Sequence, residues 1–143
     1  SGTIPFAALA QLSDMIVIGA RFTRLSGTVA PEVGTLVKLK SIELSSTQIS
    51  GTFPATVGAL TDLVAFDVSG TGLSGALPPQ LGRLLNLIIF GADSTRLSGS
   101  LPPELGHLTK LSVLGVGSSP FDQNISKISG SFAPGRNDGV VWG

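Results

Sequence analysis

A tripeptide of Leu or Ile followed by Ser-Gly recurs through the chain at a constant interval. Four copies begin at Leu25, Ile49, Leu73 and Leu97, which gives the repeat a 24-residue period. A Ser-Gly pair also opens the sequence one residue off this period, and a further copy at Ile128 comes seven residues late. A fixed interval of this length indicates one structural unit repeated along the chain, each copy stacking only on its neighbours.

Other residue types keep the same register within each unit. An apolar residue follows the Ser-Gly pair, then a proline, a glycine and a leucine recur, and three more apolar residues lie 3, 6 and 8 positions beyond that leucine. The first unit has the equivalent apolar residues at Leu12, Met15, Ile18 and Ala20. The recurring prolines, glycines and leucines are Pro31, Pro54, Pro78 and Pro102, Gly34, Gly58, Gly82 and Gly106, and Leu36, Leu60, Leu84 and Leu108.

Two periodicities within the unit predict its local structure. The tripeptide Ile42-Glu43-Leu44 alternates apolar and polar residues, which predicts a strand with one buried face. The stretch from Pro54 to Leu60 is interrupted by Pro and Gly, which suits a short helical turn. One unit cannot bury its apolar side alone, whereas stacked units can. We therefore predict an α/β repeat fold, with a parallel concave β-sheet and short 3-10 or helical turns on the convex side.

The complete unit, LxxLxxLxLxxTxLSGxLPxxLG, resembles the 24-residue leucine-rich repeat of plant receptor ectodomains. The resemblance implies a right-handed solenoid, a secreted or cell-surface location, and recognition of a protein or glycan. Where most such repeats have Asn after the strand, this chain has a hydroxyl residue, which is similar to the repeats of trypanosomatid surface antigens. The column consists of Thr23, Thr47, Thr71, Thr95 and Ser119. Its position beside buried residues predicts that it satisfies backbone groups, as an Asn ladder would.

The repeat boundaries predict a single domain over residues 1–143. Its units are 1–25, 26–49, 50–73, 74–97 and 98–128, with a partial unit over 129–143. Neither end of this stretch has the polar capping segment that closes a solenoid. We therefore expect a segment of a longer chain. The alternative is that the open ends stack on one another, which would build a filament.

The fifth unit carries about seven extra residues between Ser119 and Ile128. Insertions in repeat proteins form loops on one face, so a protruding loop is expected here. Within the insertion, Asn124-Ile125-Ser126 matches the acceptor motif for N-glycosylation. A secreted repeat protein would carry a glycan at Asn124, although one such tripeptide also arises by accident in a Ser-rich chain.

Candidate ligand-binding residues occupy the polar positions of the predicted concave strands. Interface hot spots are enriched in aromatic residues and Arg, and only Arg21 and Phe22 fit that description. Glu43, Asp67 and Asp93 add a sparse acidic line along the same face. The alternative is a face of small solvated residues that binds nothing tightly.

The Ser-Gly-Thr segments form a second candidate surface. Residues two apart in an extended segment point the same way, so stacked units would present two columns of hydroxyls about 4.8 Å apart. Such arrays resemble the faces of solenoid ice-binding proteins, and some plant leucine-rich repeat proteins act on ice. Ala76 interrupts the array, and Ser-Gly is also simply a good turn sequence. The candidate residues are Ser26, Thr28, Ser50, Thr52, Ser98 and Ser100.

Composition argues against several other functions. Nine basic and nine acidic residues balance, which disfavours nucleic acid as a partner. The apolar stretches are too short for a membrane span. The chain has no Cys and a single His, His107, which occupies a variable position of the repeat. We therefore expect no catalysis, no metal and no cofactor.

Overall fold

A computed structural model describes residues 2–122 and 141–142 of the chain. Thirteen short strands fall within these residues, and each repeat unit contributes strands to two separate parallel sheets. The strands are β1 Gly2–Thr3, β2 Val17–Gly19, β3 Leu25–Thr28, β4 Ser41–Glu43, β5 Gln48–Gly51, β6 Ala65–Asp67, β7 Gly72–Gly75, β8 Ile89–Gly91, β9 Arg96–Leu97, β10 Gly99–Ser100, β11 Val113–Gly115, β12 Phe121–Asp122 and β13 Val141–Trp142.

The first sheet, here called the concave sheet, has the strand order β13-β11-β8-β6-β4-β2. Along β2 to β11, its strands pair equivalent residues of successive units, so that Glu43 lies beside Asp67 and Asp67 beside Gly91. These equivalent residues therefore form straight columns. The middle residue of each three-residue strand is buried, as the alternating sequence pattern predicts. The flanking residues are at least partly exposed, except for Gly91 and Gly115, which are buried.

The second sheet has the strand order β1-β3-β5-β7-β9, and β10 pairs separately with β12. Its register differs from that of the concave sheet. Thr28 pairs with Ser50 of the next unit, and not with its equivalent Thr52. Within the second sheet, each strand is therefore displaced by two residues along its own direction relative to the strand of the unit before it.

Short turns connect the two sheets within each unit. The first unit has an α-helical turn, α1 Phe6–Leu9, and four later units have 3-10 turns over Pro31–Thr35, Ala55–Ala59, Pro79–Arg83 and Pro103–His107. Three of these begin on a proline, which has no N–H to leave unpaired at a helix start. The turns stack closely: a Cβ added at Gly58 would lie 2.7 Å from the backbone oxygen of Gln80.

The predicted apolar columns form one continuous core between the sheets and the turns. Three aromatic rings lie at its centre, with the centroids of Phe53 and Phe66 5.4 Å apart and those of Phe66 and Phe90 6.0 Å apart. Leu12 is 52% exposed, whereas the equivalent leucines of the later units are buried. Its unit has a neighbour on only one side within the described residues. The parallel sheets, the 3-10 turns and this core confirm the predicted solenoid.

Candidate functional site

Three of the five candidate residues on the concave sheet lie together. The Nε of Arg21 lies 3.2 Å from Oε2 of Glu43, and its guanidinium also reaches Oδ2 of Asp67 at 3.8 Å. The three residues belong to consecutive units, and their side chains are 48%, 34% and 22% exposed, respectively. Two carboxylates thus share one solvent-accessible guanidinium. An exposed arrangement of this kind contributes little to stability and is available to a charged ligand.

Phe22, the fourth candidate, follows Arg21 in an unusual conformation. Its backbone φ is 55°, in the left-handed region, and its side chain is 82% exposed. The N–H of Phe22 donates to the carbonyl of Ser45, and the equivalent N–H of Ser46 donates to Ser69, so the left-handed turn extends the sheet ladder beyond the strands. The other units have Ser or Gly at this position. A bulky side chain here costs backbone energy and exposes an aromatic ring to water.

Asp93, the fifth candidate, lies farther along the concave sheet and is not joined to the Arg21 cluster. Its Oδ1 accepts a hydrogen bond from the backbone N–H of Gly117 at 2.8 Å. The carboxylate leans over Gly115, where an added Cβ would overlap Oδ2. Asp67 leans over Gly91 in the same way, with its Oδ1 2.6 Å from the position of an added Cβ. Each aspartate therefore occupies the space that a side chain of the next unit would fill.

The role of these glycines was not predicted from the sequence. Gly91 and Gly115 occupy the same column as Glu43 and Asp67 in the far half of the concave sheet, and both are buried because the Asp67 and Asp93 carboxylates cover them. Apolar residues border this half of the sheet, with Ile89 41% exposed. The available signal was the change from acidic residues to Gly along one column, from Glu43 and Asp67 to Gly91 and Gly115.

The Thr column behaves as predicted. Thr47, Thr71 and Thr95 are buried, and each hydroxyl donates to the carbonyl three residues earlier, at 2.7, 2.7 and 3.0 Å. Thr23 makes the same bond at 2.8 Å but is exposed. Ser119 instead donates to Ala92 of the preceding unit at 2.8 Å. The ladder thus satisfies backbone oxygens where an Asn column is typical.

The second sheet places the candidate hydroxyls in two different environments. Two serine hydroxyls of the first column turn toward the backbone: Ser26 donates to the Gly2 carbonyl at 3.4 Å and Ser74 to the Gly51 carbonyl at 3.3 Å. By contrast, Thr3, Thr28, Thr52 and Ser100 are exposed, as is Ala76 in the same column. The Thr28 methyl group lies over Gly51, whose φ of 87° is one that glycine adopts readily. Because the register is offset, Ser50 adjoins Thr28 and the columns run obliquely.

Other candidates have a simpler outcome. His107 is exposed at the end of the 3-10 turn Pro103–His107. Asn124 lies outside the described residues. Within residues 2–122 and 141–142, no group of three or more His, Asp or Glu residues could hold a metal ion. In the same residues, no helix has the length and apolar character needed to cross a membrane.

Comparison with solved structures finds plant leucine-rich repeat proteins. The chain is similar to the ectodomain of the Arabidopsis thaliana receptor kinase GASSHO1/SCHENGEN3, with 28% identity and a TM-score of 0.81 over 84% of this chain and 14% of that one. It is also similar to a TDR receptor, with 27% identity and a TM-score of 0.82 over 99% and 23% of the two chains. A plant ice-binding protein matches with 30% identity and a TM-score of 0.78 over 85% and 39%.

These likenesses, together with the repeat and the two sheets, define the class. The chain belongs to the plant-type leucine-rich repeat proteins. It spans between 14% and 39% of the length of the three proteins named above. No protein-family model matches it, and neither does any curated protein sequence. The likeness to trypanosomatid repeats stays a prediction.

Proposed function

We propose that the chain is a non-catalytic recognition module of a secreted or cell-surface protein. Its ligand is a peptide segment of a protein, held against the concave sheet. The observation that carries the proposal is the exposed Arg21–Glu43–Asp67 cluster beside Phe22, a ring that the backbone exposes at an energetic cost. The likeness to GASSHO1/SCHENGEN3 supports it, since that ectodomain is described in complex with CASPARIAN STRIP INTEGRITY FACTOR 2.

The charges of the concave sheet favour a basic ligand. Glu43, Asp67 and Asp93 outnumber Arg21 by three to one on this face. A Lys or Arg of the ligand would pair with Asp67 or Asp93, whose carboxylates lie over Gly91 and Gly115. An apolar residue of the same ligand would pack on Phe22 or Ile89. Opposite charges on the two partners would raise the association rate and impose specificity.

Selection of random 12-residue peptides displayed on phage tests this proposal against the full chain. We expect enrichment of basic peptides whose affinity falls at least tenfold with Asp67→Asn and with Phe22→Ser. Glu32→Gln removes a carboxylate from the 3-10 turn Pro31–Thr35 and serves as the matched control, with no effect expected. Selected peptides that bind all of these variants equally would contradict recognition by the concave sheet.

A second candidate function is ice binding through the second sheet. The exposed column of Thr3, Thr28, Thr52 and Ser100 favours it, and so does the likeness to a plant ice-binding protein. Inhibition of ice recrystallisation by the purified chain provides the assay. We expect the double variant Thr28→Lys/Thr52→Lys to abolish inhibition, while Ala55→Lys/Ala59→Lys on a 3-10 turn retains it. Absence of inhibition by the unmodified chain would eliminate this candidate.

A further inference from the structure

A third surface lies on the flank of the solenoid, in the segment between each 3-10 turn and the following concave strand. One column there carries acidic, basic, acidic, neutral and basic residues in turn: Asp14, Lys38, Asp62, Asn86 and Lys110. Lys38 donates to the Asp14 carboxylate and holds the pKa of that group below its ordinary value. Farther along, Lys110 Nζ lies 2.6 Å from Oδ1 of Asn86, and the Asn86 amide donates to the carbonyl of Thr61 at 3.0 Å.

The flank is also apolar at its centre. Leu85 and Ile88, on either side of Asn86, are 55% and 39% exposed. A shallow groove of about 360 Å³ is lined by the apolar residues Val64 and Ile88 and by the polar residues Lys40, Asp62, Asn86 and Lys110. Neither the concave sheet nor the second sheet contains this groove.

The pattern around Asn86 is self-complementary under a twofold rotation. Asp62 and Lys110 stand one unit before and one unit after Asn86 in the same column. A twofold axis that passes through Asn86, lies in the plane of the flank and runs perpendicular to the stacking direction therefore places Asp62 of one copy opposite Lys110 of the other, twice. The same rotation brings Leu85 of one copy over Leu85 of the other, and Ile88 over Ile88. The Asn86 amide already has partners within its own chain, so it can be covered without leaving a polar group unsatisfied.

We propose that this flank is a homodimer interface, with a second copy of the chain as its occupant. Leu85 and Ile88 provide the apolar centre, and two Asp62–Lys110 pairs between the copies fix the orientation. The concave sheet lies on another face of each copy, so dimerisation leaves both concave sheets accessible. The proposal is independent of which ligand the concave sheet binds.

Sedimentation equilibrium of the full chain over a range of concentrations tests the proposal. We expect a monomer–dimer equilibrium whose dissociation constant rises at least tenfold with Ile88→Glu. Val37→Glu is the matched control, because Val37 is 50% exposed in the same column as Leu85, two units earlier. That variant should dimerise like the unmodified chain.

A charge exchange tests the orientation separately. Asp62→Lys and Lys110→Asp should each weaken dimerisation, because each places like charges opposite one another in both pairs. The double variant Asp62→Lys/Lys110→Asp should restore it to within about threefold, since the opposite charges face each other again. A chain that remains monomeric at all concentrations overturns the proposal, as does a double variant no better than the single ones. Circular dichroism of each variant separates loss of folding from loss of association.

Discussion

At the scale of single residues, the left-handed backbone conformation of Phe22 lowers the stability of the fold. Four non-glycine residues of the described chain have positive φ, all in the same column of the repeat, and Phe22 is the only bulky one among them. Residues of this column adopt the left-handed conformation because the N–H of each one donates to a carbonyl of the next unit, while the side chain of the following Thr turns inward. Left-handed backbone in a residue with a Cβ costs on the order of 1 kcal/mol.

Phe22→Gly should therefore stabilise the chain. We expect the free energy of unfolding to rise by about 0.5–1 kcal/mol, because the strain relieved exceeds the entropy that glycine adds to the unfolded state. Urea denaturation monitored by circular dichroism measures the change. Arg24→Gly, two residues on and without positive φ, should lower stability instead. A Phe22→Gly variant less stable than the parent would show that the ring packs favourably.

Gly115 is a position of the concave sheet where the neighbouring Asp93 carboxylate leaves no space for a side chain. Gly115→Ala should cost about 1–3 kcal/mol, since the new Cβ would overlap the Asp93 carboxylate and force it from its hydrogen bond to Gly117. Gly19→Ala, in the same column, meets no atom within 4 Å and should be nearly neutral. Chemical denaturation of both variants gives the comparison.

A double variant distinguishes overlap from a general loss of flexibility. In an Asp93→Ala background, the methyl group added by Gly115→Ala has space, and its cost should fall to about 0.5 kcal/mol or less, as for a surface substitution that meets no neighbour. An unchanged cost would mean that Asp93 is not the group that the new methyl displaces. The comparison is a double-mutant cycle between two contacting residues.

At the scale of elements, the Thr column is the clearest buried polar feature. Thr71→Val keeps the shape of the side chain but leaves the Val68 carbonyl without its 2.7 Å partner in a buried site. We expect a loss of about 1–2 kcal/mol in urea unfolding. The same change at exposed Thr23 should cost less than half as much, because water can replace the hydroxyl. Equal costs at both positions would contradict a role for burial.

The sequence predicted the elements better than their relative placement. Alternation around Ile42 and Phe66 was enough to place the concave strands, and the Pro and Gly columns were enough to place the 3-10 turns. The oblique register of the second sheet was not predictable, because it depends on turn geometry that the 24-residue period does not encode. Straight hydroxyl columns were expected, whereas the structure pairs Thr28 with Ser50.

The sequence predicted which residues form the candidate site, but only part of how their side chains contact one another. Selecting polar outward positions identified Arg21, Glu43 and Asp67, since column position follows directly from the repeat. That Arg21 reaches two units along the sheet, while Asp93 bends toward Gly117, depends on side-chain rotamers and neighbouring space. A single sequence does not specify these.

At the scale of the whole molecule, stability should follow the number of stacked units. Deleting residues 50–73 joins Ile49 to Ser74 and preserves the phase of every column, so we expect a folded chain of lower thermal midpoint. Deleting residues 50–61 instead joins Ile49 to Asp62 and removes only the half-unit that contains the 3-10 turn Ala55–Ala59, so cooperative unfolding should be lost. Circular dichroism melting curves separate the two outcomes. Equal behaviour of the two deletions would show that column phase is not what holds the stack together.

The uniform phase of the columns also governs how such a chain can change over generations. Recombination between two units of the coding sequence yields a product that still stacks, provided that the crossover falls at equivalent codons. The neighbours of Arg21 on the concave sheet could then be replaced in a single event, bringing Asp93 or a glycine beside it without any substitution. New ligand specificities in this architecture are therefore reachable by rearranging existing units, and the core does not have to be rebuilt each time.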